Sequence, residues 1–184
     1  GKTFLMVRAF LIRALKEENS QHCIGRLRFN HTVSSIVYQT MPMVLSRSFP
    51  KLNLKLDKQH WFYELPNGSQ IWLFGYDQKD RIEKILGTEW ATIGVNETSM
   101  VTWDLITTII TRLRADTGLV NKLICDQNPP PKSHWTWKVF HEKKDPETNL
   151  HLKDADNWYY YRMNPAANVV NLPTDYIQDL QNLP

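Results

Sequence analysis

The stretch WATIGVNE, residues 90–97, decides the predicted fold, because a short apolar run rich in β-branched residues is typical of a strand buried in a parallel sheet. The run ends in Asn96 and Glu97, so polar side chains follow the predicted strand. A second such run, KLICDQNP at residues 122–129, precedes further prolines that prevent continued sheet pairing. Between the two runs, residues 98–114 have the composition of a helix. Strands alternating with helices predict an α/β fold with a mainly parallel central sheet flanked by helices.

The N-terminal half of the chain extends this alternation. Residues 3–18 are apolar nearly all the way round, which predicts a helix buried against a sheet. Residues 23–30 predict a short strand, and residues 31–45 predict a helix that ends near Pro42. Residues 61–75 contain two β-rich runs around a Pro-Asn-Gly turn, which predicts a hairpin.

The composition is that of one globular domain and excludes several classes of protein. The chain has 184 residues, of which 42% are hydrophobic and 22% charged, and a net charge of +3. Cys23 and Cys125 lie far apart without a metal-binding spacing, so neither a disulfide framework nor a zinc site is predicted. Arg8 and Arg13 interrupt an apolar run that is shorter than the roughly 20 residues of a membrane span. We expect no membrane association and a reducing cytoplasm.

The first three residues, Gly1, Lys2 and Thr3, match the end of the phosphate-binding pattern GxxxxGK[ST], with its Gly-rich beginning missing. A helix N-terminus attracts phosphate, and in this pattern Lys2 would reach the β- and γ-phosphates while the Thr3 hydroxyl would bind Mg²⁺. A tripeptide also arises by chance. The motif therefore predicts a nucleotide site only together with further evidence.

Glu97 provides that further evidence, because many P-loop ATPases place a carboxylate at a strand end to orient and polarise the attacking water. Asn96 stands where such enzymes usually carry an Asp that supports Mg²⁺, and a neutral amide is a poorer partner for this cation. Glu97 alone is equally explained as a negative charge at the start of the next helix. In open α/β sheets, however, ligands bind at the carboxyl ends of strands, where all these groups are expected.

In this order and spacing, GKT, ATIGVNE and LICDQNPPPKSHW resemble the ATPase domain of the large terminase subunit of tailed double-stranded DNA phages. The resemblance spans essentially the entire chain, and NPPPKSHW is its most specific element. It implies a P-loop NTPase of the ASCE type that uses ATP and Mg²⁺. Gly1, Lys2 and Thr3 would hold nucleotide, and Thr3 together with Asn96 would face the metal.

The resemblance also implies roles for three further residues. Glu97 would be the catalytic carboxylate, and Asn128 would lie in a segment that senses the γ-phosphate. Arg28 would be a second catalytic residue that contacts the nucleotide, with Arg26 as its rival. An arginine from a neighbouring copy could complete the site instead, for which Arg112 and Arg114 in residues 111–114 are eligible.

The domain organisation and the partners follow from the same resemblance. Residues 1–171 would form the ATPase domain, with its phosphate loop truncated at the N-terminus, and residues 172–184 a short helix and linker toward a missing nuclease domain. The parent protein would form a homo-oligomeric ring and drive double-stranded DNA into procapsids, with the portal protein and the small terminase subunit as partners. It would act in the host cytoplasm, transiently at the procapsid portal.

Two other functions remain open from the sequence. The chain could be a catalytically inactive prophage remnant or domain fragment that keeps the fold and a partner-binding surface. It could also be another P-loop DNA translocase or helicase. The aromatic residues Trp135 and Trp137 are interpreted as packing groups rather than as base-stacking groups, and residues 159–161 as a strand of the core.

Overall fold

Six strands form one sheet in the computed structural model of the protein, which describes residues 1–164 and Asp175. In chain order the strands are β1 (Gln21–Arg26), β2 (Lys55–Asp57), β3 (Phe62–Glu64), β4 (Gln70–Gly75), β5 (Thr92–Asn96) and β6 (Lys122–Asp126). They lie in the order β2-β3-β4-β1-β5-β6. The strands β4, β1, β5 and β6 are parallel, while β2 and β3 pair antiparallel at one edge. The prediction of a mainly parallel sheet is confirmed.

Helices pack against this sheet. They are α1 (Lys2–Lys16), α2 (Phe29–Thr32), α3 (Met41–Ser48), α4 (Lys79–Leu86), α5 (Trp103–Ile110) and α6 (Trp135–Trp137). Two π-helical stretches, Val33–Thr40 and Lys138–Glu142, continue α2 and α6, and short 3₁₀ turns occupy Thr98–Met100 and Ala155–Asn157. The predicted alternation of strands and helices is therefore present, and the segment at 133–143 is largely helical rather than an extended arm.

The helix α1 is the central packing element of one hydrophobic core. Its residues Val7, Phe10 and Leu11 are almost completely buried, as the all-round apolar sequence predicts. Gly94 in β5 permits this close approach, because a Cβ atom there would lie only 2.6 Å from the ring of Phe10. The tight packing fixes the N-terminus of α1 relative to the sheet.

The helix predicted to end near Pro42 instead continues to Ser48, so that prediction is wrong. Pro42 lies in the first turn of α3, directly after the π-helical stretch Val33–Thr40. In a first turn the backbone N–H that proline lacks is not needed for a helical hydrogen bond. A proline that reads as a stop in the sequence is thus accommodated by a local change of helix type.

Three further expectations from the sequence are corrected. The helix predicted from residue 98 begins at Trp103, because the hydroxyl of Thr102 accepts a hydrogen bond from Leu105 N and caps it there. The polar stretch after β4 contains α4. Residues 159–161 form no strand, and their three tyrosine side chains are exposed.

The hairpin predicted over residues 61–75 is confirmed as β3 and β4. Gly68 adopts a φ of 78° at its turn, a conformation that favours glycine. Among the described residues, no helix has the length and apolar character needed to cross a membrane. The predicted domain boundary at residue 171 and, apart from Asp175, the helix and linker over 172–184 lie outside the described residues.

Candidate functional site

The N-terminus of α1 lies against the carboxyl ends of β5 and β6. Lys2 Nζ donates a hydrogen bond to Asn128 Oδ1 at 2.7 Å, and Thr3 Oγ1 donates one to Asp126 Oδ2 at 3.2 Å. These contacts join residues more than a hundred positions apart in the sequence. The predicted nucleotide-binding residues Lys2, Thr3 and Asn128 are therefore neighbours in the fold.

Asn96 is buried at the end of β5 and directs its amide nitrogen into the same cluster. Its Nδ2 lies 2.6 Å from Asp126 Oδ1 and 3.2 Å from Thr3 Oγ1. A carboxylate accepts hydrogen bonds only, so the amide must present its N–H groups to Asp126. Asn96 therefore contributes a donor at this position.

Glu97 adopts left-handed backbone angles, with φ 57° and ψ 54°. Its backbone N–H donates to Asp126 Oδ1 at 3.0 Å, which helps to hold this conformation. Left-handed angles are uncommon for a residue with a side chain and cost about 1–3 kcal/mol in a constrained site. Among the described residues, no hydrogen bond or ion pair engages the Glu97 carboxylate. The carboxylate is half-buried at the strand end and is available to a ligand.

The residues after Glu97 are tied to those that follow β6. The buried hydroxyl of Thr98 donates to Val95 O at 2.7 Å and to Asp126 O at 3.2 Å. Further along, Trp135 Nε1 donates to Val101 O at 2.6 Å. Trp135 is buried, which confirms its interpretation as a packing residue. The ends of β5 and β6 are thus held as one unit.

The predicted arginine positions divide between the two edges of the sheet. Arg28 is exposed and precedes α2 just beyond the carboxyl end of β1, at the same edge as Glu97. No side-chain contact joins Arg28 to Lys2 or Thr3 in the described part of the chain. Arg114 instead pairs with Glu89 at 2.9 Å, beside the start of β5 and hence at the opposite edge. The role of Arg28 stays a prediction.

The two thiols of the chain are free, and one of them lies beside the cluster. Burial, with a smaller contribution from the negative charge of Asp126, raises the pKa of Cys125 to about 12 against the opposing effect of a hydrogen bond with Thr98. The thiol is therefore protonated near neutral pH. A protonated thiol is a poor nucleophile, which leaves the neighbouring oxygen groups as the reactive part of this edge.

Asp126 is the site residue that sequence reasoning missed. Its carboxylate is the common partner of Thr3, Asn96 and the Glu97 backbone. A signal was present, since Asp126 is the last residue of a predicted strand and aligning the two strand ends pairs it with Asn96. Asn128 was selected from this segment instead, because of its resemblance to the family motif.

The donors in the cluster suit a hard cation that also binds phosphate oxygens. Thr3 supplies a hydroxyl and Asp126 a carboxylate, and Mg²⁺ in nucleotide sites is held by one or two such protein groups with phosphates and waters. Within the part of the chain that the structure describes, no three His, Cys, Asp or Glu side chains form a metal cluster. The arrangement thus fits a metal that arrives with a nucleotide, and it does not resemble an all-protein metal cage.

A helix that begins with Lys-Thr and faces a strand-end carboxylate on a parallel sheet defines a protein of the P-loop NTPase class. The particular family is established by sequence comparison. A family model described as phage terminase large subunit matches residues 1–184, and the chain belongs to that family. Among curated proteins, none matches the chain.

Solved structures of the large terminase from a thermophilic bacteriophage are similar in fold. A complex with ADP has a TM-score of 0.72 at 18% identity and covers 98% of this chain and 42% of that one. A complex with ATP-γ-S has a TM-score of 0.70 at 17% identity, with 98% and 41% covered. A further crystal form has a TM-score of 0.68 at 17% identity, with 96% and 44% covered. The chain spans less than half the length of these proteins.

Proposed function

We propose that this chain is the ATP-hydrolysing part of a terminase large subunit and that hydrolysis in the full-length parent drives double-stranded DNA into procapsids. The observation that carries the proposal is the contact of Lys2 and Thr3 with the ends of two neighbouring parallel strands. These contacts bring the residues of a phosphate-binding helix beside the strand-end carboxylate Glu97. Family membership supports the same function and disfavours a helicase.

Lys2 and Asn128 would recognise the phosphates together. The Lys2 ammonium lies 2.7 Å from the Asn128 amide oxygen, and a phosphate would compete with that oxygen for the ammonium. An arriving γ-phosphate would therefore change the partner of Asn128, which is the response expected of a γ-phosphate sensor. The N-terminus of α1 adds its partial positive charge to this attraction.

Glu97 would act on the water that attacks the γ-phosphate. Its left-handed backbone turns the chain sharply at the strand end, and its carboxylate has no partner among the described residues. Such a group can accept a hydrogen bond from water and orient the oxygen for in-line attack. When bound, Mg²⁺ would neutralise charge on the phosphate oxygens, with Thr3 facing it. Gly1, which precedes α1, would belong to the phosphate loop.

The nature of the ligand is supported by the similar structures. The large terminase of the thermophilic bacteriophage has been solved in complex with ADP and with ATP-γ-S. Adenine nucleotides are therefore the ligands proposed here. Among the arginines, Arg28 is the candidate on the site's own edge. Arg112 and Arg114 would reach a nucleotide only in a neighbouring copy, since both lie near the opposite edge.

The partners proposed for the full-length parent follow from its family. We infer a homo-oligomeric ring that contacts double-stranded DNA, the portal protein and the small terminase subunit in the host cytoplasm. The net charge of +3 is compatible with a polyanionic partner. DNA-dependent stimulation of ATP hydrolysis by the full-length parent tests this part of the proposal, and its absence in the presence of the portal protein would count against it.

The proposed hydrolysis is tested by Glu97→Gln in the full-length parent, with the exposed Glu18→Gln as the matched control. We expect Glu97→Gln to lower turnover by about 10²–10⁴-fold, the usual contribution of a positioned base, while ATP-γ-S binding is retained. Glu18→Gln should match the wild-type rate. Wild-type turnover in Glu97→Gln would refute the role of Glu97, and a wild-type parent that binds no nucleotide would favour the inactive remnant.

A further inference from the structure

Asp126 is the meeting point of the candidate site. Its Oδ2 accepts a hydrogen bond from Thr3, and its Oδ1 accepts from the Asn96 amide and from the Glu97 backbone. One carboxylate therefore contacts the start of α1, the end of β5 and the backbone of the catalytic candidate. In the described residues, no Lys, Arg or His forms an ion pair with Asp126, so neutral donors alone surround its charge.

The strand register explains how Asp126 reaches this position. Asn96 and Asp126 are directly paired positions of the parallel strands β5 and β6. Adjacent strands lie about 4.8 Å apart, so the two side chains emerge side by side at the same height of the sheet. A carboxylate at position 126 thus occupies a place one strand away from position 96.

Asn96 itself is a poor metal-supporting group in this arrangement. Its Nδ2 faces both Thr3 and Asp126, at 3.2 Å and 2.6 Å, and the N–H groups carry partial positive charge. A hard cation prefers carboxylate oxygen. The negative charge that such a cation needs beside Thr3 is supplied by Asp126.

We propose that Asp126 is the carboxylate that supports the nucleotide's Mg²⁺ and that Asn96 is a positioning residue that orients it. The usual arrangement, with an acidic residue at the end of the strand that carries Glu97, is here divided between two neighbouring strands. This inference rests on the proposed nucleotide site and deepens it. It replaces the expectation that Asn96 is the metal-facing residue.

The test measures how strongly Mg²⁺ tightens ADP binding to the full-length parent. ADP affinity is determined by calorimetry with Mg²⁺ and with EDTA for the wild type, Asp126→Asn and the double variant Asn96→Asp/Asp126→Asn. In Asp126→Asn we expect metal affinity to fall by about 10–100-fold, the usual effect of losing a group that supports a metal site. ADP affinity in EDTA should not fall, because the lost charge repels phosphate. The double variant, which returns a carboxylate to position 96, should recover the effect of Mg²⁺.

The exposed Asp116→Asn serves as the control for loss of one negative charge and should behave as the wild type. An Asp126→Asn protein that folds and keeps the full effect of Mg²⁺ would overturn the inference and leave the proposed function intact. A wild-type parent that binds no ADP would instead overturn the proposed function. The two failures are therefore distinguishable.

A second measurement applies if Asp126→Asn does not fold. The wild-type parent is prepared with ¹³C-labelled aspartate carboxyl groups and loaded with Mn²⁺ and ADP. Pulsed electron paramagnetic resonance should then detect coupling between Mn²⁺ and a labelled carboxyl group. This label leaves Asn96 and Glu97 silent, so the absence of coupling would contradict the role of Asp126.

Discussion

His22 makes the stability of this fold depend on pH in a way that can be calculated from its surroundings. The side chain is fully buried between β-strands, where Nδ1 lies 2.8 Å from Thr92 Oγ1 and Nε2 lies 2.8 Å from Ser20 Oγ. Arg13 Nε donates to the same Thr92 hydroxyl at 2.7 Å, so that hydroxyl can donate its own hydrogen to Nδ1. This network accommodates a neutral imidazole.

Burial, together with the positive charge of Arg13, lowers the pKa of His22 from 6.5 to about 4. Below about pH 6.5 the unfolded chain binds a proton that the folded chain does not, so the free energy of unfolding falls as the pH falls toward 4. The interval between the two pKa values corresponds to about 3 kcal/mol, because each pH unit is worth about 1.4 kcal/mol. The contribution is fully present above about pH 6.5.

The assay is urea unfolding of the wild type and of His22→Gln at several pH values between about 7 and 4. Carboxylates elsewhere titrate in both proteins, so the difference between the two isolates His22. We expect the wild type to lose about 3 kcal/mol more than the variant over this range. The exposed His31→Gln should follow the wild type. Parallel curves for the wild type and His22→Gln would refute the reasoning.

Three further substitutions test the packing and the surface. Gly94→Ala places a methyl group 2.6 Å from the Phe10 ring and should lower the free energy of unfolding by about 1–3 kcal/mol, measured in urea; Gly87→Ala, whose nearest atoms lie at 3.5 Å, should change it far less. Thr102→Ala removes the cap of α5 and should cost about 1 kcal/mol in the same measurement. Arg114→Ala breaks an exposed ion pair and should cost less than about 1 kcal/mol, so a large fall in its ATPase rate would indicate a role between copies.

The sequence predicts the fold well where one pattern dominates. The strands β5 and β6 are short apolar runs bounded by polar residues, and α1 is apolar on nearly every face. These elements are buried, so their composition directly reflects their environment. The hairpin around Gly68 is predicted because its turn requires a residue that tolerates positive φ.

Elements that depend on their neighbours are predicted less well. Pro42 reads as a helix end, yet the preceding π-helical stretch lets the helix continue. The strand β2 has only three residues and is defined by its pairing with β3. The helix α4 lies in a polar stretch that gives little periodic signal. Such features follow from tertiary contacts that no local pattern encodes.

The site was predicted in part for the same reason. Lys2 and Asn128 were selected from motifs, and the structure brings them into contact. Asp126 was missed because its importance comes from the register of β5 and β6, which sets it beside Asn96. A register between two strands separated by a helix can be inferred only after the sheet order is known.

The most direct test of the account is a crystal structure of the full-length parent with ADP and Mg²⁺. We predict that the β-phosphate contacts Lys2 at the N-terminus of α1, that Thr3 and Asp126 lie on the metal's side, and that the Glu97 carboxylate faces the position of the γ-phosphate. A nucleotide bound elsewhere, with Lys2 still paired to Asn128, would contradict the account.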